Sequence, residues 1–204
     1  MRPLRDTYTV GVKAFPAEGE LEYWVSPQRL LRYRIDPRDT VSLYLWNARG
    51  ACSMLEIIQH LEVIIRNLVH AQLRASRGKD ETPWYLDPEF ALSSRTFAEL
   101  QSAVRRASGP RAEQGKAVAE INFGTWRFLM SKRYRNLVWA RVAPAMQGVP
   151  RRERDLTEFN NSLSYLNRIR NRCAHNEPVY DIDPHEFVRH IGYLARHIGP
   201  EAEE

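Results

Sequence analysis

Cysteine is almost missing from this chain of 204 residues, which holds only Cys52 and Cys173. Both fall inside helical patterns, which argues for reduced core or near-core thiols in a reducing compartment rather than for a disulfide. With no second Cys/His cluster, there is no tetrahedral set for zinc, so neither metal nor cofactor is expected. Long apolar runs are missing too. Met1 to Phe15 carries no secretory-type apolar core, and nothing approaches the roughly 20 apolar residues of a membrane span. A cytoplasmic protein with no membrane partner is the expectation. Internal repeats and low-complexity linkers are lacking, and the length suits one sizeable core rather than two.

Lysine is scarce as well. The net charge of +5 and the pI near 9.4 come from arginine, whose planar fork suits phosphate. An Arg-rich surface favours a polyanionic partner, although a genome that prefers arginine codons gives the same excess with no partner at all.

Residues 1–25, with Gly11, Pro16 and Gly19, read as an extended arm; residues 26–198 read as a single helical domain and 199–204 as an acidic tail. Ser26-Pro27 and Asp36-Pro37 each place a capping side chain before a proline at the first helical position. A long helical pattern runs on to about Ala75, with Val41, Leu45, Ala48, Cys52, Leu55 and Ile58 on one face and Gly50 as a place to kink. Between Leu55 and Leu68 apolar residues go nearly all the way round, which predicts a central position. Glu62 and Arg66 interrupt them four residues apart, either as a partly buried pair or with Arg66 or Asn67 in a substrate groove. Trp84 and Tyr85 anchor a loop. Shorter helices follow over about 93–107, 111–122, 123–130 and 136–142, and Asp183-Pro184 opens a last one through His197. The fold class is all-α.

Phe159, Leu163, Leu166, Ile169 and Cys173 recur at steps of three and four, the mark of a helix with one buried face. It should stop near Asn176, a common residue type just past a helix end, since Pro178 biases Glu177 away from helical geometry. Near that end stand Arg170, Asn171 and His175, two bases and a carboxamide that can work on a phosphodiester. Asn171 and His175 are four apart and share a face. Arg170 lies about 100° away from Asn171 on an ideal helix, within reach through its long side chain. Arg168 and Arg172 flank the trio and raise the local positive potential.

A basic stretch precedes this helix. Lys132, Arg133, Arg135, Arg141, Arg151, Arg152 and Arg154 are interleaved with Tyr134 and Trp139. Cations beside stackable rings suit single-stranded RNA; equally, Trp126, Phe128, Leu129 and Trp139 suit a core and the arginines a solvated turn.

Arg170-Asn171 followed by His175 resembles the ribonuclease motif of HEPN domains, in which Arg and His are separated by four to six residues, four here. Leu43-Tyr44-Leu45-Trp46-Asn47, continuing through Leu61-Glu62-Val63-Ile64-Ile65-Arg66-Asn67, resembles the amino-terminal signature of the Abi-like (abortive-infection) branch of that family, and Asn122-Phe123-Gly124-Thr125-Trp126 its middle signature. The resemblance covers roughly residues 40–180 in the same order. It implies an all-α HEPN-like bundle that dimerises through the motif-bearing helices into a composite active site. It also implies a metal-independent endoribonuclease that leaves 2′,3′-cyclic phosphate and 5′-hydroxyl ends, in an antiphage or toxin setting. Arg170, Asn171 and His175 would be catalytic; Arg172, Arg66, Lys132, Arg133 and Arg135 would hold RNA. The alternative is a catalytically silent protein that binds RNA in complex with a noncoding RNA or an antitoxin. In one HEPN branch a nucleotidyltransferase antitoxin modifies a Tyr two residues beyond the His; here that position is Glu177, and the nearest Tyr is Tyr180. A purely structural adapter is a third reading.

Overall fold

A computed structural model describes residues 18–35, 40–78, 82–87, 90, 92–107, 114–147 and 153–199. Among them are nine α-helices and no strand, so the all-α expectation holds. By its contacts the chain divides into two compact units, residues 1–50 and 51–204.

The first unit holds α1 (Glu18–Val25), α2 (Pro27–Leu30) and the start of α3 (Thr40–Ala75). Leu21, Leu30 and Tyr33 are buried. The Tyr33 ring meets Tyr44 edge-on at 5.3 Å, and its hydroxyl accepts from Asn47 Nδ2 at 3.1 Å. Two expectations are corrected here. The presumed extended arm is helical from Glu18, with Gly19 tolerated in its open first turn; residues 1–17 lie outside the described residues. Ser26 does not cap α2 through its side chain. It sits at φ 78°, and its N–H bonds to the Glu22 carbonyl at 3.1 Å, so it closes α1 and leaves Pro27 alone to open α2. Asp36-Pro37 lies outside the described residues.

The second unit begins within α3, which runs unbroken through Gly50. It continues with α4 (Ser94–Arg106), α5 (Gln114–Ala119), α6 (Phe123–Leu129), α7 (Ala140–Val142), α8 (Glu153–Ala174) and α9 (Pro184–Ile198). Its core gathers Ile58, Leu61, Ile65, Val69 and Leu73 of α3 with Phe159, Leu163, Leu166, Ile169 and Cys173 of α8. Trp84, Trp126, Phe187 and Leu194 complete it. All five spaced residues of α8 are therefore buried, as their period predicts. Trp84 and Tyr85 do anchor their loop: both are buried, and Trp84 Nε1 donates to His70 Nδ1 at 3.1 Å.

The face expected on α3 is corrected. Ala48 and Cys52 are exposed, and the buried row is Ala51, Ile58, Leu61, Ile65, Val69 and Leu73. Nor is the segment apolar all round because it is enclosed: Ile57 and Val63 remain 43% and 41% exposed. Small and apolar residues on both sides of α3 hid the true phase. Of the two cysteines only Cys173 is a core thiol, and both are free.

Candidate active site at the end of α8

Burial of its apolar row fixes the rotation of α8, and a tight cap fixes its end. Asn176 adopts φ 51°, the left-handed region that a short polar side chain tolerates. Its N–H bonds to the Cys173 carbonyl at 3.1 Å, and that of Glu177 to the Arg172 carbonyl at 2.8 Å. Together these form a Schellman cap that satisfies the terminal carbonyls. The stop expected near Asn176 is observed. Arg172 reaches forward to the Pro178 carbonyl and the Asp181 carboxylate and fastens the returning chain, with Val179 buried beneath. Asp183 then caps α9 by accepting from the His185 N–H at 2.9 Å.

The cap leaves His175 at the lip of the helix. Its N–H still bonds to the Asn171 carbonyl at 2.9 Å, so the two side chains stay one turn apart on one face. Both are exposed, and among the described residues neither side chain has a hydrogen bond or ion pair. Arg170 points elsewhere. Five residues separate it from His175, about 140° around an ideal helix, and it is half-buried.

The charge of Arg170 acts on Glu62. This residue follows Ile58 by four and precedes Ile65 by three, which sets it on the buried face of α3. Burial pushes its carboxyl above the ordinary range, and the positive charges of Arg170 first and Arg66 second pull it back. The Arg66 Nε is buried without a hydrogen-bond partner. Among the described residues no hydrogen bond or ion pair joins Glu62 to Arg66, so the anticipated pair is not formed; Glu62 is a half-buried carboxylate that feels both guanidinium charges at longer range.

A second row leads to the motif from the other side. Asn167 stands four residues before Asn171, and its Oδ1 would lie 3.6 Å from a Cβ placed on Gly124. That is an ordinary packing distance, which sets the start of α6 beside α8; the tighter neighbour of such a Cβ is the capping Asn122 Oδ1 at 3.1 Å, so glycine here makes room for the cap of α6. Asn122 caps α6, its Oδ1 accepting from the Thr125 N–H at 2.9 Å, and the Thr125 hydroxyl donates to Glu99 Oε2 at 2.9 Å. Trp126 is buried, with Nε1 donating to the Ile121 carbonyl at 3.1 Å. Asn160 Nδ2 donates to the Arg127 carbonyl, and Arg127 Nη1 to Ser164 Oγ, both at 3.3 Å. α6, capped by Asn122 and bound to α8 through Arg127, is therefore a seat for the motif helix. Sequence reasoning singled out residues 122–126 as a signature but gave them no role; a cap residue two before a glycine was the available signal.

In the basic stretch the rings and the cations part company. Trp126 and Trp139 are core, and Tyr134 is buried with its hydroxyl accepting from the Ser93 N–H at 3.0 Å. Lys132, Arg133 and Arg135 are exposed. Arg141 is turned inward to the Asn136 and Leu137 carbonyls. The side chains of Arg151, Arg152 and Arg154 lie outside the described residues.

Among the described residues no three His, Cys, Asp or Glu side chains gather as metal ligands, and no helix is long and apolar enough to cross a membrane. No curated protein and no solved structure matches the chain. One family model does, that of the Abi-like proteins, over residues 21–181. That span reaches into both units and takes in the seat at α6 and the whole Arg170–His175 segment, and on it this chain belongs to the Abi-like protein family.

Proposed function

We propose that the protein is a metal-independent endoribonuclease of the HEPN type acting in abortive-infection defence, the setting that Abi-like membership suggests. The observation that carries this reading is the exposed Asn171–His175 row at a rigidly capped helix end, backed by the half-buried Arg170. A 2′-hydroxyl of single-stranded RNA attacks the adjacent phosphorus and expels the 5′-oxygen, leaving a 2′,3′-cyclic phosphate and a 5′-hydroxyl. His175 transfers the proton, since imidazole titrates near neutrality. Arg170 stabilises the charge that builds on the phosphorane-like transition state, and Asn171 holds the imidazole or a substrate oxygen. Lys132, Arg133, Arg135 and Arg66 supply phosphate contacts; Arg172, already bound to the returning chain, contributes mainly positive potential.

One imidazole cannot stand on both sides of the displaced phosphate, and within one chain His175 and Arg170 diverge by about 140°. A second copy that brings its own α8 end to the first supplies the missing groups, so the working unit is a homodimer. The divergence also keeps a second reading alive: a silent RNA-binding protein held with a noncoding RNA or an antitoxin. Purified protein incubated with labelled single-stranded RNA in EDTA separates the two. Cleavage that disappears in His175→Ala supports the enzyme; binding with no cleavage by the unaltered protein supports the silent complex.

A further inference from the structure

Beside the seat of α8 lies a cavity of about 320 Å³ lined by Arg95, Thr96, Glu99, Asn122, Gly124, Thr125, Arg127 and Phe128. Its polar groups are oriented rather than loose. Glu99 is held by the Thr125 hydroxyl on Oε2 at 2.9 Å and by Arg95 Nε on Oε1 at 3.4 Å. Each carboxylate oxygen keeps a second lone pair for a ligand. The Asn122 Oδ1 accepts from the Thr125 N–H at 2.9 Å, so the end left for a ligand is its NH2 donor. Phe128 forms an apolar wall, its own ring braced edge-on by Tyr134 at 5.6 Å. Arg127 is anchored through Nη1 to Ser164 while its Nε stays buried and unpartnered.

A fixed carboxylate next to a carboxamide donor matches one nucleobase best. Guanine presents two adjacent donors, N1–H and N2–H, with the O6 acceptor beside them. Adenine and cytosine place a donor next to an acceptor, and uracil flanks one donor with two acceptors. Unstacked bases of single-stranded RNA are read along this edge. The site also stands in the right place. Gly124 borders both the cavity and Asn167, and eight helical residues, about 12 Å, separate Asn167 from His175 on the same row. We propose that this α4–α6 cavity is a guanine-binding subsite for the RNA strand that crosses the α8 end, with Glu99 accepting from N1–H and N2–H and Asn122 donating to O6. Its place in a substrate path rests on the ribonuclease reading; its affinity for the base does not.

The test is calorimetric titration of the full chain in EDTA with GMP, AMP, CMP, UMP and inorganic phosphate. GMP should bind at least about tenfold tighter than the other nucleotides. Glu99→Gln, which keeps an oxygen for the Thr125 hydroxyl, should abolish that preference. Asn122→Ser, which keeps a capping oxygen but removes the amide, should weaken it, and circular dichroism confirms that each variant is folded. Equal binding of the four nucleotides, phosphate binding as well as GMP, or no binding at millimolar nucleotide each overturns the proposal. Guanine preference without RNA cleavage sinks the ribonuclease reading and leaves the subsite standing. Cleavage without guanine preference does the reverse.

Discussion

Glu62 of α3 feels the guanidinium of Arg170, on α8, more strongly than that of Arg66 one turn along its own helix. The motif arginine is thereby coupled through charge to a carboxyl more than a hundred positions away in sequence. Burial nevertheless wins, and the carboxyl stays above its ordinary 4.5. A raised carboxyl contributes stability below the unfolded pKa and loses it as pH rises through the folded one, so at neutral pH the ionised Glu62 is a burden on the fold.

Glu62→Gln should therefore leave the thermal midpoint at neutral pH unchanged or raised, within about 1 kcal/mol. The same change should lower RNA cleavage about 10- to 100-fold by removing the carboxylate charge that faces Arg170. Calorimetry and turnover on one preparation check both halves. A large loss of stability with unchanged specific activity would make Glu62 purely structural.

The left-handed Asn176 sets where α8 ends and so where His175 stands. Asn176→Gly should keep stability and activity, whereas Asn176→Val should lose about 1–2 kcal/mol on denaturant unfolding, because branching at Cβ crowds the left-handed backbone that Asn tolerates. Equal midpoints for the two variants would contradict the cap.

Burial, aided by Arg74 at His70 and by Arg189 at His190, holds both imidazoles below 6.5. His70 Nδ1 accepts from Trp84, and His190 Nδ1 lies 2.9 Å from Ser162 Oγ. The unfolded imidazoles take up protons first, so their stabilisation is present above pH 6.5 and is lost as pH falls below it. Melting temperature should drop across that window. His70→Gln, which keeps an acceptor for Trp84 but does not titrate, should flatten the drop.

Exposed Lys132, Arg133 and Arg135 are assigned to phosphate contacts. Replacing all three by Ala should reduce the slope of log affinity for single-stranded RNA against log salt by about 2, at roughly 0.7 per lost contact. An unchanged slope would remove this stretch from the RNA surface.

Periodicity was legible wherever one face is apolar and the other polar. The five buried residues of α8, the Asp183 cap and the Asn176 stop all follow from local chemistry. It failed on α3, where apolar side chains sit on both faces and the phase cannot be read from type alone; Cys52 came out exposed for that reason. The motif trio was visible as spacing, yet its divergence was not. Arg170 faces the charge of Glu62, and α8 is seated through Arg127 on Ser164 and Asn160, relationships that bring together residues far apart in the chain.

The most direct test of the central claim is chemical analysis of RNA ends after incubation in EDTA with the unaltered protein, Arg170→Ala and His175→Ala. The account predicts 2′,3′-cyclic phosphate and 5′-hydroxyl ends from the unaltered protein, and loss of cleavage by about two orders of magnitude or more in either variant. Equal cleavage by all three proteins, or no cleavage by the unaltered one, would contradict it.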